Sequence, residues 1–250
     1  MMIVVVPAYN EATTIREVAK GILDVVPDLI VVDDGSTDGT AGFVHDLPLQ
    51  LIRHQTNLGK AAALATGFRA ALERGGDAVL TLDGDAQHRA DDVPKLLNAH
   101  AHHPDAIIIG TRLHDKQHIP AARYGANRFA NFWISWAAGM KIEDSQSGFR
   151  IYPAAMLRSG LPSSSTGFVF ESEVLIEAGR AGVRIVHVPV AAVYSRHARA
   201  SHFRPVLDIA RIVIMVAGKL LRRGLHIGGL IQSLRQPSVF ASGEGHRSKG

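Results

Sequence analysis

A mostly parallel sheet wrapped by helices, an α/β fold, is predicted for this chain by three observations. Short β-branched runs alternate with longer segments of helical periodicity. Three of those runs stop at polar clusters, beginning at Pro7, Asp33 and Asp83. Finally, the glycine cradles of dinucleotide-binding and P-loop proteins are missing, so a phosphate would have to be held by side chains and a metal. In an open parallel sheet the carboxyl ends of the strands share one edge and ligands bind there, so the three clusters should converge on one pocket.

Ile3 to Val6 reads as a buried strand, and the turn Pro7-Ala8-Tyr9-Asn10-Glu11 leads into a helical pattern through Leu23. A second strand, Leu29 to Val32, ends in Asp33-Asp34-Gly35-Ser36-Thr37-Asp38-Gly39-Thr40, a glycine-rich turn in which Thr37 or Asp38 can cap another helix. Asn57 to Arg74 reads as a turn plus an alanine-rich helix whose small residues allow close packing on the sheet. Strands at Ala78 to Leu82 and Ala106 to Ile109 flank a helix from about Asp91 to His102.

Beyond Pro120 the pattern changes. Phe129, Phe132, Trp133 and Trp136 fall on one helical face, preceded by Arg123 and Arg128; such a stripe serves either the core or a lipid or acceptor. Residues 206–223 are apolar with charges along one side, and their longest charge-free run falls well short of the ~20 residues a bilayer requires. That segment is expected to lie on the catalytic domain, a second protomer or, the favoured surface, a membrane. Residues 1–205 thus read as the catalytic domain, 206–235 as an amphipathic helical segment and 236–250, rich in serine and glycine, as a disordered tail.

Composition is permissive. The chain has 250 residues, 46% hydrophobic and 20% charged, enough for one sizeable core. The absence of cysteine excludes a disulfide scaffold and thiolate metal sites. No signal peptide is expected, because the first apolar run is only a strand long. The net charge of +4 is concentrated late, with Arg199, Arg204, Arg211, Lys219 and Arg222 set against Asp208. No nucleic-acid module accompanies that basic region and only 6% of residues are aromatic, so no nucleic-acid partner is expected.

Asp83 and Asp85 carry the chemistry. Carboxylates at i and i+2 after a strand point the same way and can share one Mg²⁺ or Mn²⁺ that keeps open positions for phosphate oxygens. A bare acidic pair is equally turn chemistry; its company decides. Asn57-Leu58-Gly59-Lys60, Asp83-Gly84-Asp85-Ala86-Gln87-His88, Gly110-Thr111-Arg112 and Asp144-Ser145-Gln146-Ser147-Gly148-Phe149-Arg150 join the first two clusters in an order spanning roughly residues 3–204. In this the chain resembles the family 2 glycosyltransferases of the GT-A fold, most closely the branch that glycosylates dolichyl or polyprenyl phosphate.

The resemblance implies roles. Pro7, Tyr9, Glu11 and Asp34 would border the nucleoside of a GDP- or UDP-hexose, with Asp33 left to the turn. Lys60 would neutralise the nucleotide, Asp83, Asp85 and Gln87 would hold the metal, and Arg112 would be a second cation at the diphosphate. Asp144 would position the acceptor, since a phosphate monoester with a second pKa of about 6 arrives ionised and needs no base. Arg123, Ser147, Arg150, Arg196 and Ser201 would receive that phosphate. The segment Arg196-His197-Ala198-Arg199-Ala200-Ser201-His202 departs from the branch pattern, with Ala198 or Arg199 in place of a glycine and His202 in place of a lysine. His88 is expected to contact its own loop. Inversion at the sugar and a cytoplasmic, peripheral position on the membrane are also implied by the resemblance. A saccharide or other hydroxyl acceptor is the alternative, and a binding protein without turnover is a remoter one.

Overall fold

The computed structural model describes residues 1–112, 121–160, 168–191, 205–222 and 224–241. Its strands are β1 (Met2–Ala8), β2 (Leu29–Asp33), β3 (Gln50–Arg53), β4 (Ala78–Thr81), β5 (Ile107–Thr111), β6 (Arg150–Pro153), β7 (Ile185–Pro189) and β8 (Val239–Phe240). They form one sheet in the order β3-β2-β1-β4-β6-β5-β7-β8. Every pairing is parallel except those of β6, which runs antiparallel to both β4 and β5.

The helices are α1 (Ile15–Leu23), α2 (Lys60–Glu73), α3 (Val93–His102), α4 (Ala121–Ala138), α5 (Ala154–Arg158), α6 (Phe168–Arg180), α7 (Pro205–Leu221) and α8 (Ile227–Arg235). They cover both faces of the sheet, which is why β1 reads as an unbroken apolar run. Alternation along that strand sorts its side chains: Ile3 and Val5 join a core with α2, α4, α6 and α7, whereas Val4 and Val6 join one with α1 and α3. The α2 contact is tight: a Cβ on Gly67 would come within 2.3 Å of Val5 Cγ1.

The strands expected from sequence are present. The chain also forms β3, β6, β7 and β8, strands of only two to five residues beyond those expected. Strand β6 begins at the edge where β4 and β5 end, with Arg150 opposite both Thr81 and Ile109. The loop that precedes it is thereby delivered to the site.

The C-terminal segment is divided between core and surface. Ile212, Val216 and Leu220 of α7 are buried in the same core as α4 and α6, and Lys219 bridges Glu173 and Glu177 of α6, each at 2.7 Å. The domain itself therefore takes one face of this helix. Ile214 and Leu221 remain exposed on it. The expected disorder from residue 236 onward is corrected for 236–241: Val239 and Phe240 pair in parallel with Val186 and His187, and Ala241 N donates to His187 O. A β-branched and an aromatic residue there satisfy the open edge of β7. Residues 242–250 lie outside the described residues. Among the described residues no helix is long and apolar enough to cross a membrane.

Candidate active site at the carboxyl edge of the sheet

The loops after β1 and β2 brace each other. Asn10, in the left-handed region at φ 57°, donates its N–H to Ser36 Oγ and accepts from Thr37 N, both at 2.9 Å. Glu11 N donates to Thr40 Oγ1. Thr14 Oγ1 reaches Gly84 O at 2.7 Å, tying the start of α1 to the loop after β4. Pro7 is buried within β1 opposite Val32, while Tyr9 and Glu11 are half-buried beyond its end. The motifs are contiguous in space, as their shared edge requires.

Both aspartates after β2 are framework groups. Asp33 Oδ1 accepts from Ser36 N at 2.9 Å, and Arg53 Nε lies 3.2 Å from Oδ2. Asp34, expected to receive a base N–H, is buried, with Oδ1 accepting from His54 Nδ1 (2.7 Å) and Leu58 N (2.9 Å) and Oδ2 from Gly59 N (2.7 Å). Its main duty here is to clamp the Asn57-Leu58-Gly59-Lys60 turn. His54, which the sequence did not single out, passes that clamp to Thr66 on α2.

The clamp fixes Lys60 at the start of α2. Its Nζ stands 2.7 Å from Asp83 Oδ1 and 3.0 Å from Glu171 Oε2 of α6. Burial opposes the ammonium charge, but Asp83 and Glu171 outweigh it and hold the pKa above the ordinary lysine value. The same pairing overcomes burial to keep Asp83 below its ordinary value. Asp85 behaves oppositely: burial first, then the neighbouring Asp83, push its carboxyl up. Its Oδ1 accepts from Gln87 N at 3.0 Å across a turn with Ala86 at φ 58°.

Among the described residues no three Asp, Glu or His side chains gather at metal-binding spacing. The Asp83–Asp85 pair nonetheless fits a hard divalent cation. Its donors are carboxylate oxygens two residues apart, and Asp85 makes no ion pair among the described residues, its Oδ1 accepting only Gln87 N. Gln87, buried beside them, is a neutral oxygen donor on the same turn.

The Asp144–Arg150 loop closes the other side. Asp144 is fully buried and pairs with Arg112 in a side-on fork: Oδ2 accepts from Arg112 N (3.2 Å) and Nε (3.1 Å), and Oδ1 from Nη2 (3.4 Å). Burial would raise this carboxyl, but Arg112 holds it below its ordinary value. Ser147 is buried and its Oγ accepts from Phe149 N. Gly148 lies against Asp83, since a Cβ there would be 2.4 Å from Oδ2.

Arg150 corrects an expectation. It is fully buried, with Nε donating to Ser147 O (2.7 Å), Nη2 to Ser145 O (2.7 Å), and Nη1 to Glu171 O (2.9 Å) and Tyr152 Oη (3.2 Å). A guanidinium spent on backbone carbonyls staples the loop to α6 and cannot receive an acceptor phosphate. Glu171 was missed from sequence, yet its carboxylate meets Lys60 and its carbonyl meets Arg150. Asn131, a buried amide on the aromatic helix, was also missed; its Oδ1 accepts from Ser145 N at 2.9 Å. A polar residue inside an apolar stripe was the available signal.

His88 packs across on Phe149 of the facing Asp144–Arg150 loop, with ring centroids 5.2 Å apart. Among the described residues neither of its buried ring nitrogens has a hydrogen-bond partner, and burial, then Arg112, lower its pKa to about 3. The aromatic stripe is split: Trp133 and Trp136 stack at 5.3 Å, half-buried against the core, while Phe129 and Phe132 are 51% and 42% exposed. Arg123 lies in the first turn of α4 but its side chain is outside the described residues, as are Arg196 and Ser201 altogether.

Known proteins match this chain in sequence and in fold. The profile of Glycosyl transferase family 2 matches residues 3–161. An undecaprenyl-phosphate mannosyltransferase of Micrococcus luteus is 31% identical over 209 residues, covering 77% of this chain and 83% of that protein. A UDP-N-acetylglucosamine–dolichyl-phosphate N-acetylglucosaminyltransferase of Methanococcus voltae is 26% identical over 247 residues, covering 88% and 98%. Glucosyl-3-phosphoglycerate synthase from Mycobacterium tuberculosis, solved with Mn²⁺, UDP and glucosyl-3-phosphoglycerate, matches with a TM-score of 0.66 at 24% identity, covering 89% of this chain and 79% of that one. The architecture is the GT-A fold.

Proposed function

Since this chain belongs to glycosyl transferase family 2 and is a glycosyltransferase, we propose that it transfers a hexose from GDP- or UDP-hexose to a polyprenyl phosphate in one inverting displacement. The observation that carries the acceptor class is the state of Asp144. A hydroxyl acceptor must lose a proton as it attacks, and needs a free base. Asp144 is instead fully buried and forked to Arg112, which lowers its pKa and so makes it a poor proton acceptor. An acceptor that arrives already ionised, as a phosphate monoester does, asks nothing of it.

The remaining groups take consistent parts. Asp144 orients the Arg112 guanidinium, which would face the diphosphate as negative charge grows there. The Asp34 clamp sets the nucleoside-side turn and, through it, Lys60. Asp85, with Asp83 and Gln87 beside it, would hold Mg²⁺ or Mn²⁺, whose charge stabilises the leaving diphosphate when bound. Arg123, Arg196 and Ser201 remain the proposed acceptor ligands.

A peripheral place on the cytoplasmic face of a membrane is part of this reading. Phe129 and Phe132 of α4 and Leu225, Ile227, Ile231 and Leu234 near α8 are exposed apolar side chains. They are linked through Trp136, which stands 6.2 Å from Phe132 and donates to Leu225 O. Arg128, Arg222 and Arg235 are exposed on the same helices or next to them, and residues 205–241 contain a single acid, Asp208. Apolar side chains beside exposed cations suit an anionic lipid surface.

The deciding assay follows label from a panel of sugar nucleotides to three acceptors: a polyprenyl phosphate, the corresponding polyprenol and a soluble sugar. Product with the lipid phosphate alone is expected. Transfer to either hydroxyl acceptor at a comparable rate would refute the acceptor assignment.

A further inference from the structure

The two carboxylates after β4 are not equivalent. Asp83 Oδ1 is 2.7 Å from Lys60 Nζ, while Oδ2 faces Gly148 so closely that a Cβ there would be 2.4 Å away. Lys60 is shared with Glu171 at 3.0 Å, and it is carried on a turn whose Leu58 and Gly59 N–H groups are gripped by buried Asp34. Asp85 has no ion pair among the described residues; its Oδ1 accepts only a backbone N–H in the same turn. One carboxylate is thus held by a cation already built into the protein, and the other is open.

We propose that Lys60 is a positioning residue that reserves Asp83 in the free protein, leaves Asp85 as the carboxylate open to a divalent cation, and so makes tight metal binding depend on a nucleoside diphosphate. The inference rests on the metal-dependent reading above. An ammonium on Asp83 occupies an oxygen the metal could use and adds a positive charge beside the place where the metal must sit. A bound nucleoside diphosphate brings the negative charge that Lys60 cancels, and supplies oxygens in place of those of Asp83. Because the Lys60 turn is built on the nucleoside side, the position of this cation is set by the same loops that border the donor.

The test is Mn²⁺ binding by the full chain, followed by the loss of the free-ion electron paramagnetic resonance signal, with and without GDP or UDP. The native protein should bind Mn²⁺ weakly alone and about tenfold or more tightly with nucleotide, the scale on which one nearby charge moves such an equilibrium. Lys60→Met should bind Mn²⁺ about tenfold or more tightly than the native protein without nucleotide. Lys60→Arg, which keeps the charge, should stay near the native isotherm, and Asp85→Asn should lose binding. A lysine that only packs its turn predicts identical isotherms for native protein and Lys60→Met, and that result would overturn the proposal. Should Lys60→Met not fold by circular dichroism, Glu171→Gln provides the opposite sign: Lys60 then serves Asp83 alone and Mn²⁺ binding weakens several-fold, so an unchanged isotherm overturns the proposal. A native protein that binds no Mn²⁺ even with nucleotide refutes the metal-dependent reading itself, a separate and recognisable outcome.

Discussion

Gly148→Ala places one methyl group between the Asp144–Arg150 loop and the Asp83 carboxylate. The added carbon would stand 2.4 Å from Asp83 Oδ2 and 2.8 Å from its Cγ and Oδ1. Ordinary contact begins near 3.4 Å, so something must move by roughly 1 Å. The carboxylate cannot simply retreat, because Oδ1 is held by Lys60 and Lys60 by Glu171. A displacement of that size in a reacting constellation costs about 10²-fold in rate, equivalent to about 2.7 kcal/mol of transition-state stabilisation. Gly148 has no positive φ, so backbone strain adds nothing to the steric effect.

The assay is kcat and kcat/KM for the sugar nucleotide at saturating acceptor, with a thermal melt on the same samples. Gly67→Ala is the control: its Cβ would meet Val5 Cγ1 at 2.3 Å, a comparable overlap placed in the core. It should cost about 1–3 kcal/mol of stability and leave the kcat of the folded protein unchanged. Native turnover in Gly148→Ala would show that Asp83 is not held where catalysis needs it, and the reasoning would fall.

Arg150→Met should act on stability. Three buried carbonyls lose their donor, for about 3–5 kcal/mol and about 10 °C in Tm, while the acceptor KM of the folded protein stays within about twofold; a selective rise in acceptor KM at native Tm would return Arg150 to the phosphate. Asp144, depressed by Arg112 against the effect of burial, contributes stability that is complete above about pH 4 and lost as the pH falls through its lowered pKa. Asp144→Asn should therefore flatten the acid limb of a plot of Tm against pH without altering its slope from about pH 6 to 8; an unchanged acid limb would refute the pairing. Replacing Phe129 and Phe132 together by serine should weaken sedimentation with phosphatidylglycerol vesicles about tenfold or more, with added salt weakening the native protein too. Binding indifferent to both would remove the membrane from this face.

The alternation of strand and helix, and the convergence of polar clusters on one edge, were legible because they depend on periodicity and on strand direction. The individual duties of charged residues were less so. Arg150 sits in a motif that invites a phosphate, but its partners are carbonyls of Ser145, Ser147 and Glu171, and a carbonyl leaves no trace in residue identity. Lys60 and Glu171 meet across β-sheet topology that includes the unexpected β6, so no local spacing connects them. The tail misled for a related reason: its composition is that of a disordered segment, whereas two residues sufficed to cap an edge that only the folded sheet presents.

The reversed direction of β6 has an implication for how such an enzyme could change its acceptor. The loop from Asp144 to Arg150 is anchored at one end by Arg112 and at the other by β4, β5 and α6, so it tolerates neither lengthening nor a new side chain at its glycine. It behaves as a fixed wall of the pocket. A change of acceptor must then be accommodated elsewhere than in this loop. A library aimed at new acceptors should leave the wall alone.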